Sequence, residues 1–156
     1  MTSIRRTHRK VLQFRITLKG TKPPIWRRIQ VPSRYSFWDL HSAIQDAMGW
    51  SDIHLHEFRI PVPGISRRIP VGVPSDEYVG EEPARPGWKV PIRHVFWVAG
   101  TKIDYVYDSG CDWLHAVELE KILTEEEGAT YPRCIAGRRR CPPEDCGGVR
   151  LFADML

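Results

Sequence analysis

VLQFRITL, residues 11–18, decides the reading of the fold, because its apolar side chains recur strictly at every second position. Leu12, Phe14, Ile16 and Leu18 share one face, and Gln13, Arg15 and Thr17 share the other. That period belongs to a strand with one side in a core. Turn-forming residues follow at 19–24, and residues 25–31 alternate again with Ile25, Ile29 and Val31 on one side. Together the two stretches predict an antiparallel hairpin.

Working outward, Ser36 is placed to cap a helix whose third residue is Asp39. Phe37, Leu40, Ile44, Ala47 and Met48 then form one apolar stripe, and Gly49 ends it. HLHEFRI, residues 54–60, reads as a strand with His54, His56, Phe58 and Ile60 on one face. Residues 61–91 hold seven prolines, too many for a sheet interior, and predict an irregular insertion. Pro91 suits the first turn of a short helix with Ile92, Val95 and Phe96 at helical spacing. Two more strands are expected at 102–108 and 113–122, around a turn at Ser109 and Gly110, with Trp113, His115, Val117 and Leu119 facing inward. A final helix is expected from Val149. The fold class is therefore α+β: one domain over residues 11–156 behind a basic tail at 1–10, with an antiparallel or mixed sheet, one main packed helix and a Cys-rich C-terminal loop.

A chain of 156 residues with 42% hydrophobic and 27% charged residues is long and apolar enough to bury a core without disulfides. The longest wholly apolar run, residues 95–99, is far too short to span a bilayer, and the N-terminal segment has no signal-like apolar stretch. A cytoplasmic location is expected, with no membrane partner. The four cysteines, Cys111, Cys134, Cys141 and Cys146, then stay reduced, which suits metal binding or plain burial better than a disulfide framework. The formal charge of +4 is concentrated in two clusters, Arg5/Arg6/Arg9 with Lys10 and Arg138/Arg139/Arg140. Such clusters can meet nucleic-acid phosphates, with Trp26, Trp38 or Trp50 available for stacking, but they equally suit a solvated tail and loop.

The densest chemical signal is YPRCIAGRRRCPPEDCGG, residues 131–148, where Cys134, Cys141 and Cys146 are separated by Gly, Pro and Arg. Three thiolates in such a segment suit zinc, which wants a fourth ligand, and His115 or Cys111 can supply it. Ordinary buried thiols account for the same residues. His54 and His56 on one strand face, joined with Asp108 and Asp112 from the turn before the last predicted strand, form a second candidate site for a metal or for proton transfer. Hydrogen-bonded core histidines are the alternative there. No phosphate-binding glycine loop, nucleophile elbow or zincin motif is present.

PPIWRRIQVP, the helix end AMGW, HLHEF, YDSGCDWLHAVELEKIL and the cysteine segment together resemble the plasmid pRiA4b ORF-3-like family. The resemblance implies a small α+β domain found on plasmids and chromosomes and labelled in some mobile elements as a transposon passenger protein of TnpR type. A resolvase-like activity would need a serine nucleophile supported by arginines, and no serine here stands in such a set. Where the family reads D-F-G-D-D-W-x-H, this chain has Ser109 and Cys111 in place of the aromatic and one acid. The function expected first is a non-enzymatic binding or accessory domain, zinc-stabilised, with a protein or nucleic-acid partner. The alternative is a metal-dependent hydrolase or nuclease using His54, His56, Asp108, Asp112 and His115.

Overall fold

The computed structural model describes residues 9–75, 82–108, 110–144 and 146–149. The opening alternation becomes β1 (Lys10–Leu18), which pairs antiparallel with β2 (Ile25–Pro32) from Val11 opposite Pro32 to Leu18 opposite Ile25. Leu12, Phe14, Ile16 and Leu18 all enter the core, as do Ile25, Ile29 and Val31. Six further strands follow: β3 (His56–Pro61), β4 (Arg68–Gly72), β5 (Arg85–Pro86), β6 (Lys102–Tyr107), β7 (Trp113–Thr124) and β8 (Arg133–Arg138). All eight join one sheet in the order β5-β4-β3-β6-β7-β1-β2-β8. The β4–β5 pairing is parallel and the others are antiparallel, so the sheet is mixed. The chain is mostly β, and the α+β class holds in that coarse form.

The helix, α1 (Phe37–Met48), is started by a reciprocal cap: Ser36 Oγ accepts from Asp39 N at 3.2 Å, and Ser36 N donates to Asp39 Oδ2 at 2.9 Å. Gly49, at φ 76°, ends it in the left-handed conformation that a residue without Cβ adopts at little cost. Its apolar stripe is pressed onto the sheet, with Phe37 edge-on to Phe58 at 5.0 Å. Phe96, edge-on to Phe14 at 4.7 Å and tilted against Phe37 at 6.1 Å, closes the same core.

Several expectations are corrected. The proline-rich stretch 61–91 is not wholly irregular, because it supplies β4 and β5. Proline is tolerated at position 70 because β4 has an outer partner only at Val71 and Gly72, leaving most of it an edge strand. The strand expected from His54 begins at His56. The short helix after Pro91 is a single 3₁₀ turn, Ile92–His94, with Ile92 and Phe96 buried. Residues 133–138 of the cysteine segment form β8, which pairs with the outer side of β2, Ile29 opposite Cys134 and Trp26 opposite Arg138. The final helix from Val149, residues 1–8 with Arg5 and Arg6, and Ser109 lie outside the described residues, apart from Val149 itself. Among the described residues no helix is long and apolar enough to cross a membrane.

Candidate metal centre

α1 buries two rows of side chains, each with i, i+4 spacing: Leu40, Ile44 and Met48, and beside them Phe37, His41 and Gln45. The second row brings an imidazole and an amide into a core otherwise closed by aromatic and aliphatic groups. His41 Nε2 lies 2.7 Å from Asp52 Oδ1, and its Nδ1 lies 2.7 Å from the Tyr105 hydroxyl. Gln45 Nε2 donates to that hydroxyl at 3.0 Å, while Asp52 N donates to Gln45 Oε1 at 3.0 Å. A phenol has one proton to give, so all groups are satisfied when Tyr105 donates to His41 Nδ1 and His41 Nε2–H donates to Asp52. Gln45, Tyr105, His41 and Asp52 thereby close a ring of hydrogen bonds. Asp52 enters it from the turn after α1, at φ 55°.

His56, the first residue of β3, stacks its ring on His41 with centroids 3.4 Å apart and planes 8° from parallel. Trp38 flanks both rings, at 5.4 Å from His41 and 5.7 Å from His56. Burial, with His41 beside it, pushes the His56 imidazole down to about 3. Burial also lowers His41, against the opposing pull of Asp52. Both rings are thus neutral near pH 7, the state in which imidazole coordinates a metal. His56 Nε2 is buried without a hydrogen-bond partner. Such an orphan costs about 1–3 kcal/mol, which a bound cation would recover. The donor atoms of His41, Asp52 and His56 lie within 4.8 Å of one another, and among the described residues no other such trio of metal-ligating side chains occurs. The Asp52 side chain, 38% exposed, gives the cluster a side open to solvent.

The residues singled out in the sequence are distributed differently. His54 and His56 part company: His54 Nε2 lies 3.5 Å from Asp108 Oδ2, while His56 turns to His41. Asp112 is exposed after the turn, and Asp108 is buried, accepting from Gly110 N at 3.1 Å. His115 is sealed between Trp50 and Tyr105, each with ring centroids 5.3 Å away, and burial pushes it down to about 4. Among the described residues no three of Cys134, Cys141, Cys146 and His115 have ligating atoms within 4.8 Å of one another, although the Cys141 thiol, raised first by burial, is also raised by Cys134. Cys134 is exposed on β8, its Sγ 3.5 Å from Ala136 O, and Cys141 Sγ sits 3.8 Å from Met48 Sδ. Cys146 belongs to the segment that touches Cys111, whose thiol is raised first by burial and then by Asp108. Arg9 and Arg138–Arg140 lie at opposite ends of the described chain, all exposed. Trp50 is buried and Trp26 already carries the Arg15 and Arg28 guanidiniums at 4.5 and 5.0 Å, so neither indole is a free stacking surface.

Protein contacts order the cysteine segment. Trp50 Nε1 donates to Pro142 O at 2.9 Å, and one Glu144 oxygen accepts from Tyr107 Oη at 2.7 Å and Ser51 N at 2.9 Å. Ile53 N in turn donates to Tyr107 Oη at 3.2 Å, so Glu144 and Tyr107 brace both sides of Asp52. Burial and then the Glu144 contact raise the Tyr107 phenol, keeping it a donor. Glu144→Ala should therefore cost about 1 kcal/mol, chiefly from the partly buried Tyr107 hydroxyl, since the Ser51 N–H is exposed to water. Urea denaturation measures it, and faster amide exchange at Ser51 and Asp52 should accompany the loss.

A family model described as plasmid pRiA4b ORF-3-like protein matches residues 10–156. The chain is 33% identical over 141 residues to the uncharacterized protein y4hQ of Sinorhizobium fredii (strain NBRC 101917 / NGR234), covering 88% of this chain and 67% of that protein. The crystal structure of a protein of unknown function, MM3350 from Methanosarcina mazei Go1, superimposes with a TM-score of 0.84 at 41% identity, over 96% of this chain and 81% of that one.

Proposed function

This chain belongs to the plasmid pRiA4b ORF-3-like family, and from that premise we propose a binding or accessory domain, acting alongside plasmids and mobile elements, whose His41, Asp52 and His56 hold one divalent transition-metal ion. The observation that carries the reading is the orphaned His56 Nε2, within 4.8 Å of donor atoms of His41 and Asp52; the two imidazole planes, 8° from parallel, must turn toward each other for both nitrogens to meet one ion. Two imidazole nitrogens and a carboxylate oxygen suit zinc and its first-row neighbours better than calcium or magnesium. For His41 to ligate through Nε2 its proton must move to Nδ1 and be donated to the Tyr105 hydroxyl, which then orients the ring as the outer partners of metal-bound histidines do. Both imidazoles are buried, which favours a structural or sensing ion.

A hydrolytic reading draws support from the exposed side of Asp52, which leaves room for a water on the ion. Of the catalytic set expected from sequence, however, His56 alone belongs to this cluster. Zinc titration calorimetry on protein purified without an affinity metal tests the assignment. One zinc per chain is expected, with affinity falling about 100-fold or more in His41→Ala and His56→Ala and about 10- to 100-fold in Tyr105→Phe. Cys141→Ser and Cys146→Ser should bind as wild type. Binding that follows the cysteines, or none at all, would refute the assignment.

A further inference from the structure

On the other side of the α1 C-terminus, a cleft of about 700 Å³ opens between the helix end and the segment after β8. Arg27, Arg139 and Arg140 line it, opposed by the single carboxylate of Asp46. Arg27 occupies a β2 position between the buried Ile25 and Ile29, where alternation calls for an inward side chain, yet it carries a guanidinium. Gly137 on β8 makes that possible, since a Cβ there would meet Arg27 Cδ at 2.7 Å. Arg27 Nη1 donates to the carbonyls of Trp26 at 2.8 Å and Arg138 at 3.1 Å, and Arg139 Nη1 donates to Pro23 O at 2.9 Å. Arg139 is held in the left-handed backbone region, at φ 64°. None of the three guanidiniums has a carboxylate partner among the described residues. Two are thus fixed by backbone carbonyls with N–H groups to spare, an arrangement suited to bidentate recognition of an oxyanion. The remaining wall is apolar, formed by Met48, Pro142 and Pro143.

We propose that this cleft binds a phosphate monoester carrying an apolar or aromatic group, the phosphate held by Arg27, Arg139 and Arg140 and the organic part laid against Pro143 and Ala47, over the buried Met48 and Pro142. The site is separate from the histidine–aspartate cluster and does not depend on a metal there. The cleft is much larger than a bare phosphate needs, so the substituent adds affinity by burying apolar area. A nucleic-acid backbone offers phosphate diesters, with one negative charge per group instead of nearly two, and gains little from the apolar wall of a half-open cleft.

Calorimetric titration of the full chain with phenyl phosphate, inorganic phosphate and single-stranded oligothymidylate separates these sources. Phenyl phosphate should bind about tenfold more tightly than inorganic phosphate, the effect of covering part of a ring. Arg27→Gln should weaken it about 10- to 100-fold, as loss of a charge-assisted pair does. Arg140→Gln, at an exposed position that leaves folding intact, should weaken it in the same direction, whereas Lys121→Gln on β7 should leave it unchanged. Phenyl phosphate binding that is absent, or equal in the Arg140→Gln and Lys121→Gln proteins, overturns the proposal. Binding of the oligonucleotide alone overturns it in favour of a nucleic-acid surface.

Discussion

Acidification from pH 6.5 to 4 should cost the folded protein about 3 kcal/mol through His115 alone. The ring is fully buried, with Nδ1 3.3 Å from Tyr105 O and Nε2 without a partner, and burial lowers its pKa from the ordinary 6.5 to about 4. Between those two values the unfolded chain binds a proton that the folded one refuses. Each pH unit of descent then favours unfolding by about 1.4 kcal/mol, and the stability present above pH 6.5 is lost as pH falls through the folded value. Denaturant midpoints of wild type and His115→Leu, measured from pH 7.5 to 4 with a chelator present, should diverge, the variant being flatter. If the variant does not fold, NMR titration of the wild-type ring decides, since no protonation of His115 should appear above about pH 5. A His115 titrating near 6.5 would contradict the burial argument.

Trp50→Ala should destabilise the protein by about 3–5 kcal/mol, the range for emptying a buried aromatic site. Trp50 is 5% exposed and stacks on Tyr107 at 5.1 Å and Trp113 at 5.9 Å, while its edge contact with His115 shields that imidazole. Its indole N–H also holds Pro142 O, so the loss should appear first as faster exchange across residues 141–149. Trp50→Phe keeps most of the ring contact and gives up the hydrogen bond, and about 1 kcal/mol is expected. Equal exchange in that segment for wild type and Trp50→Ala would show that something other than this contact orders it.

Period-two alternation made β1, β2 and β7 legible: β1 and β7 bury one complete face, Leu12 to Leu18 and Trp113 to Leu119, and β2 buries Ile25, Ile29 and Val31 with Arg27 the exception. α1 was legible from Ser36, Asp39 and Gly49 as well as from its stripe. β4, β5 and β8 were not, since edge strands need only backbone pairing, and residues such as Pro70 and Gly137 carry no strand pattern. His56 was found, but its partners were missed. His41 reaches it from α1, itself held by Tyr105 from β6, and no spacing records that, while Asp52, though close in the chain, carries no motif that marks it. One signal was available: His41 and Gln45 continue the Phe37 row at intervals of four, so the buried face of α1 necessarily includes two polar groups in need of partners. The contacts of the cysteine segment were hidden for the opposite reason. A segment without periodic pattern looked in need of a metal, while Trp50, Ser51 and Tyr107 were waiting to bind its backbone and Glu144.

Cobalt(II) substitution tests the central claim most directly, because the spectrum reports the ligand atoms as well as occupancy. Titration of metal-free protein under reducing conditions should give one equivalent of weak visible d–d bands with no thiolate-to-cobalt charge-transfer absorption in the near ultraviolet, and His56→Ala should abolish them. Intense charge-transfer bands that vanish in Cys141→Ser or Cys146→Ser would contradict the account, placing the metal on the cysteine segment and leaving His41, Asp52 and His56 as a hydrogen-bonded core.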